Sequence, residues 1–424
     1  MYLHEQASGK VNNFLELIDQ NGNSCNEPSP CPFRRLFVAI ESFSNQSMYR
    51  VLSHREITLV ELYLNEAPLE NDSEFQNRLH EILLKNSGTL RYFRVALKTG
   101  INLGTAALAA EPLKLPALKD FGFWEIHGGS DKKDSIEFLV HIINAAPNLE
   151  QLCSTCTDPN VLSSILIKCN LRRLEHFYAE SIRGHHVGLL SKTEMPKLRT
   201  LILQADVDSI PFEHRASSED LQNMVLHFAE TLEELNISWI SSTDDESFPT
   251  CPKLKTLNID GWDGSLGVFD SFRLPSLEHI CVTDHVEEEN SIIHPHEGVE
   301  SFSVESTDKI DPGNAAAIEE FDYLLLYCRY QYPNLKHLDL TMGLNDEVVR
   351  SVIRTLPLLE SLTLDTNCHI SSSVFTGRNQ LACERFLEEG QGIAEIALMP
   401  SLRDMRCKSK LSPANTSWTV CERS

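Results

Sequence analysis

Apolar residues return along this chain in a three-beat pattern: one position, a second three residues later, and a third two after that. The clearest copies are Leu198, Leu201 and Leu203; Leu254, Leu257 and Ile259; Leu277, Ile280 and Val282; Leu335, Leu338 and Leu340; and Leu359, Leu362 and Leu364. Looser copies begin at Phe33, Leu59, Leu90, Leu118, Leu149, Leu171, Leu232, Val299 and Leu402, giving 14 copies whose starts lie 22 to 43 residues apart. Two copies read as defective, with Ser154 and His176 where the third apolar residue belongs. In eight copies a proline stands two residues ahead of the first apolar position: Pro116, Pro147, Pro196, Pro252, Pro275, Pro333, Pro357 and Pro400. The whole chain holds only 19 prolines, so this placement is not accidental.

Two apolar residues separated by one position mark a short strand with alternate side chains turned into a core. The first leucine closes the turn leading into the strand. Proline lacks an N–H and biases its neighbour away from helical geometry, so it ends the preceding segment. A single unit cannot bury its apolar face, but a stack of units can. Between strands, Ser135–Asn144, Leu221–Phe228, Ala315–Tyr327 and Val348–Leu356 have helical spacing, with start signals at Asp346 and at Ser218 with Glu219. Gaps of 22 or 23 residues leave room only for a turn or a short helical piece. Most spacings fall in or near the range of about 20–29 residues that marks leucine-rich repeats. The expected fold is therefore an α/β leucine-rich-repeat solenoid, a curved and irregular horseshoe. Parallel strands would line its concave face, with helices and turns on the convex face. The expected layout is a polar N-terminal segment over 1–30, the solenoid over 31–407, and a disordered tail over 408–424. Residues 1–30 and Ser371–Pro400 are candidate caps or loose ends.

The Pro-x-Leu-x-x-Leu-x-Leu units, uneven repeat lengths and helical connections resemble the repeat region of F-box leucine-rich-repeat proteins, over about residues 30–407. In that family a helical F-box motif grips the adaptor of a cullin-type ubiquitin ligase, and the repeats present the substrate. The resemblance implies a protein-binding scaffold, the substrate-recognition region of such a ligase subunit. Residues 1–30 are polar, end in Asn26-Glu-Pro-Ser-Pro and show no F-box, so adaptor binding is expected only of a longer N-terminus. The alternative is a stand-alone adaptor or inhibitor with no ligase link. Eight residues after the first leucine, Ile240, Trp262, His285 and Gly343 stand where regular repeats use asparagine or cysteine. Only Asn367 fits, which argues against a regular asparagine ladder.

Charge and chemistry narrow the partners. The 61 acidic against 37 basic residues give a net charge of -24, which disfavours a nucleic-acid partner and suits a basic protein surface. No apolar run approaches the ~18 residues of a membrane span, and the polar first ten residues do not form a signal peptide. Twelve cysteines scattered singly fit reduced thiols and a cytoplasmic or nuclear location. Cys153-x-x-Cys156 lacks the second ligand pair of a zinc site. His285, Glu287, Glu288, Glu289, His294 and His296 are the densest potential ligands but lack matched spacing, and His185-His186 reads as an exposed loop pair. Gly128-Gly-Ser-Asp-Lys-Lys is not spaced as a phosphate loop, and no catalytic signature occurs. The expectation is thus no catalytic residue, metal or cofactor, and no enzyme. What remains is the outward strand face: Tyr92, Arg94, Asp120, Trp124, Glu234, Asn236, Thr256, Asn258, Asp260, His279, His337, Asp339, Thr363 and Asp365 are the candidate protein-binding residues. Trp239 and Trp262, at strand ends, are as well suited to packing as to binding.

Overall fold

In the computed structural model the described residues are 2–3, 35–39, 59–65, 73–96, 113–124, 132–156, 158–204, 216–238, 248–260, 271–283, 295–305, 324–341, 351–352, 355–365 and 404–408. The chain divides into two compact units. The first spans residues 1–216 and 223–231, and the second spans 217–222 and 232–424.

In the first unit, eight strands run in chain order: β1 (Tyr2–Leu3), β2 (Arg35–Ala39), β3 (Glu61–Asn65), β4 (Tyr92–Ala96), β5 (Asp120–Trp124), β6 (Gln151–Thr155), β7 (His176–Glu180) and β8 (Thr200–Gln204). Each pairs in parallel with the next. Helices α1 (Ser73–Lys85), α2 (Lys132–Ala145), α3 (Pro159–Lys168) and α4 (Gly184–Leu190) fill the connections, and α5 (Ser218–Phe228) has residues in both units. In the second unit, β9 (Glu234–Ser238), β10 (Thr256–Asp260), β11 (His279–Thr283), β12 (Ser301–Glu305), β13 (His337–Thr341), β14 (Ser361–Asp365) and β15 (Asp404–Lys408) form the same sequential parallel ladder. Parallel strands in chain order with helical connections make this an α/β fold of the leucine-rich-repeat solenoid type.

The register puts the apolar pairs in rows. Phe93, Phe121, Leu152, Phe177 and Leu201 are in-register neighbours and almost completely buried. The Phe93 and Phe121 rings stack with centroids 5.5 Å apart. In the second unit Leu235, Leu257, Ile280, Phe302, Leu338 and Leu362 form the corresponding row, none more than 2% exposed. Burial of each such side chain contributes about 1.5–3 kcal/mol, so the rows are the main source of cohesion in each unit.

The prolines do more than end the segment before them. The amide of Leu118 donates to Leu115 O (3.1 Å), Leu198 to Met195 O (3.1 Å), Leu277 to Leu274 O (3.1 Å) and Leu335 to Tyr332 O (3.1 Å). Proline is therefore the second residue of a four-residue turn, where its fixed φ is already correct. The residue before it is a fourth core position, as the burial of Leu115, Met195, Leu274 and Tyr332 shows.

That turn corrects one repeat. The Leu174 amide donates to Leu171 O (3.0 Å), so Leu171 opens the turn and Leu174 is the first leucine. Phe177 and Ala179 then point inward, and the copy is not defective. His176 lies on the exposed outer face. Ser154, by contrast, is a true polar residue in the inner row, 1% exposed. With the frame restored, the flanking spacings become 25 and 24 residues, and these connections hold α3 and α4.

Helices α2 and α5 cover the segments expected from periodicity. Ser218 opens α5 as expected, and Ser217 caps it, its Oγ accepting from Asp220 N (3.1 Å) and donating to Asp220 Oδ2 (2.7 Å). Asp158 caps α3 by accepting from Asn160 N (2.9 Å). Residues 324–331, 351–352 and 355 are helical, in part of the two later expected segments. Asp346, Trp239, Trp262, Asn367, Gly128, Ser371–Pro400 and the segment after Lys408 lie outside the described residues.

Two histidines read as loop residues are structural. His186, in α4, is 1% exposed; its Nδ1 accepts from Arg183 N (3.1 Å) and its Nε2 meets Pro159 O (2.8 Å). Burial, ahead of its neighbours' charges, pushes its pKa down to about 4. His296 occupies the buried turn position and its Nε2 meets Leu274 O, the equivalent residue one repeat earlier, at 2.6 Å. The other members of that histidine and glutamate set, His285 to His294, lie outside the described residues. Among the described residues no group of three potential ligands could hold a metal.

Candidate protein-binding face

The residues between and beside the inward pairs stand on the opposite face of each ladder, since strand side chains alternate. In the second unit these form two complete rows. Glu234, Thr256, His279, Ser301, His337 and Ser361 make one; Asn236, Asn258, Cys281, Ser303, Asp339 and Thr363 make the other. His279 and His337 are exposed and the remaining ten half-buried. Across six strands the two rows hold no aliphatic or aromatic carbon side chain. Asp260 continues the pattern at the end of β10 and is half-buried. Asp365 is in register with Lys408 at the end of β14; its side chain lies outside the described residues.

The first unit's face differs. Tyr92 is 37% exposed and Trp124 half-buried, but Arg94 and Asp120 are turned to each other. Arg94 Nη2 stands 3.0 Å from Asp120 Oδ2, with the two side chains only 7% and 10% exposed. The register explains the reach. Arg94 lies directly opposite Gly122, and Asp120 is two residues back on the same strand. A Cβ at Gly122 would touch Arg94 Cδ at 3.4 Å, so the absent side chain leaves a lane along which the guanidinium runs. Burial raises the Asp120 carboxyl above its ordinary value, and the Arg94 charge pulls it back only partly. The pair therefore braces the sheet and offers little charge to a partner.

Gln151, His176, Tyr178 and Glu180 also belong to this face, with the Tyr178 hydroxyl donating to Glu180 Oε1. The Leu171 frame hid the last three, because it assigned His176 to the core. Placing the turn hydrogen bond three residues before each first leucine is the signal that would have found them. Cys153 and Cys156 are buried, in and just after β6.

A charged row runs beside this face at the residue after each first leucine. Lys119 pairs with Glu150 (2.7 Å), Arg199 with Glu175 (3.9 Å) and Lys336 with Glu300. The Lys336 contact holds the Glu300 carboxyl below its usual value. Such exposed pairs contribute little to stability.

No helix among the described residues is long and apolar enough to cross a membrane. No protein-family model matches the chain, and no curated protein sequence matches it. Among solved structures, a chain from the crystal structure of the Rad7 and Elc1 complex in yeast is similar at 17% identity and a TM-score of 0.42, over 87% of this chain and 86% of that one.

Proposed function

We propose that this chain is a non-enzymatic protein-binding scaffold whose second unit engages its partner through the outward faces of β9–β14. The observation that carries the reading is the composition of the two rows from Glu234 to Thr363. Six consecutive strands present amide, hydroxyl, carboxylate and imidazole groups in register on one backbone-fixed face. A rigid array of donors and acceptors selects a partner by hydrogen bonding and loses little side-chain entropy in doing so. Glu234, Asp260 and Asp339 give it an acidic bias, which favours a basic partner surface.

The finer reading follows the resemblance of the repeat grammar: substrate recognition for an F-box-type ubiquitin ligase, with adaptor contact supplied by a longer N-terminus. Affinity capture on the full chain tests both levels. Charge reversal at Asp339 and introduction of lysine at Asn258 are expected to weaken the captured partner at least tenfold, while Leu226→Ser on α5 leaves it unchanged. Retention of the partner by the strand-face variants contradicts the assigned surface. Recovery of a ligase adaptor by residues 30–407 alone contradicts the division of roles.

A further inference from the structure

The first unit carries a second surface of opposite character. Residues 168–199 hold seven Lys or Arg and three Glu, a net of +4 in a chain of -24. Lys168, Arg172, Arg173, Lys192, Lys197 and Arg199 are all exposed. Lys168 follows from helix physics, since the last turn of α3 favours a cation. Arg173 and Lys197 sit in turns and have no such explanation.

Within this basic tract, between the C-terminal ends of α3 and α4, lies a groove of about 340 Å³. Ile167, Leu171 and Leu189 supply its apolar wall, and Arg172, Lys192 and Glu194 its rim. Ile167 is 67% exposed and puts an apolar side chain at the mouth of the groove. Arg172 is held across the rim by Glu194, its Nε donating to Glu194 Oε2 at 2.8 Å. This fixes the guanidinium at the groove edge and leaves Lys192 as its companion charge.

We propose that this groove docks an acidic peptide segment of a partner protein, seating one apolar side chain against Ile167 and Leu189 while its carboxylates meet Lys192 and compete with Glu194 for Arg172. Charge complementarity decides the occupant. A cationic rim around an apolar wall suits a peptide that alternates acidic residues with a bulky anchor. A nucleic acid fits worse: the wall has no aromatic ring for base stacking, and Glu175 and Glu194 interrupt the cationic run. The site is independent of the strand face and carries the opposite charge.

The test uses the full chain and a short fluorescein-labelled peptide of Asp and Glu around a central Leu-Glu-Glu-Phe, read by fluorescence anisotropy. Binding is expected to weaken at least tenfold in Lys192→Glu and in Ile167→Asp, and to fall with rising salt. The strand-face variant Asp339→Lys is expected to bind as the unaltered chain does. Circular dichroism and the urea midpoint establish that each variant is folded; both altered side chains are exposed. Several results would overturn the proposal. These are absence of peptide binding, equal binding of a Lys-for-Glu version, insensitivity to Ile167→Asp, or tighter binding of a labelled oligothymidylate abolished by the same substitutions.

Discussion

His186 makes the first unit sensitive to acid in a way that can be calculated. Its Nδ1 accepts from the Arg183 amide at 3.1 Å, so Nε2 carries the proton and donates to Pro159 O at 2.8 Å. A second proton on Nδ1 would confront an N–H donor in a side chain only 1% exposed. The folded pKa is accordingly pushed down to about 4, well below the ordinary imidazole value of about 6.5. In the unfolded chain the ring protonates first as pH falls. Its contribution to stability is therefore fully present above about pH 6.5, declines as pH falls toward 4, and is lost below that. Such a lowering corresponds to roughly 3 kcal/mol. The perturbation is His186→Gln, which keeps a donor for Pro159 O and removes the titration. Its expected cost at pH 8 is about 1 kcal/mol, the value of one net hydrogen bond. Urea unfolding read by hydrogen exchange in α3 and α4, between pH 8 and 4.5, should show a steeper loss in the unaltered chain than in the variant. Equal slopes, or a His186 ring resonance titrating near its ordinary value, would refute the reasoning.

Three further outcomes follow from the packing. Asp120→Ala removes a buried carboxylate from beside Arg94 and is expected to cost about 3–5 kcal/mol in urea unfolding, whereas Arg94→Met with Asp120→Leu restores most of it. Because burial raises the Asp120 carboxyl, its own contribution favours folding at acid pH and declines as pH rises through that raised value, a trend absent in Asp120→Asn. Leu257→Ala, at a fully buried position between Leu235 and Ile280, is expected to destabilise the second unit by about 2–5 kcal/mol by calorimetry. Glu300→Gln should leave the unfolding midpoint unchanged in high salt, since its ion pair with Lys336 is exposed. At low salt the pair's small benefit is present above the usual carboxylate range and disappears as pH falls through the lowered Glu300 value.

The strand ladder was legible because period-two burial is written in adjacent letters: Leu201 and Leu203, or Leu338 and Leu340, need no tertiary information. The turn was only half legible. Proline marked its place in most copies, but the buried residue that opens the turn varies from Leu115 to Cys251 to His296, and only its hydrogen bond from the first apolar residue unifies them. That gap produced the slip at Leu171, where arginine replaces proline and two leucines compete for one role. The division into two units left no mark in composition, and β1 at Tyr2–Leu3 is too short to show a period. On the candidate face, alternation placed Asn236, Asn258 and His337 without difficulty. It could not foresee that Gly122 opens a lane for Arg94, because that depends on which residues meet across two strands. The basic groove leaves no periodic mark in the sequence, since its cations lie in turns and helix ends.

The central claim is that successive repeats stack with their strands in parallel register, and cysteine pairing tests it directly. Asn258 lies opposite the native Cys281, and in-register neighbours have Cα atoms about 4.8 Å apart, within the reach of a disulfide. Mild oxidation of Asn258→Cys should yield the 258–281 cross-link by peptide mapping, well ahead of Asp260→Cys or Thr256→Cys, whose partners are Thr283 and His279. Faster cross-linking at 256 or 260, or none at any of the three, would contradict the register on which every assignment here depends.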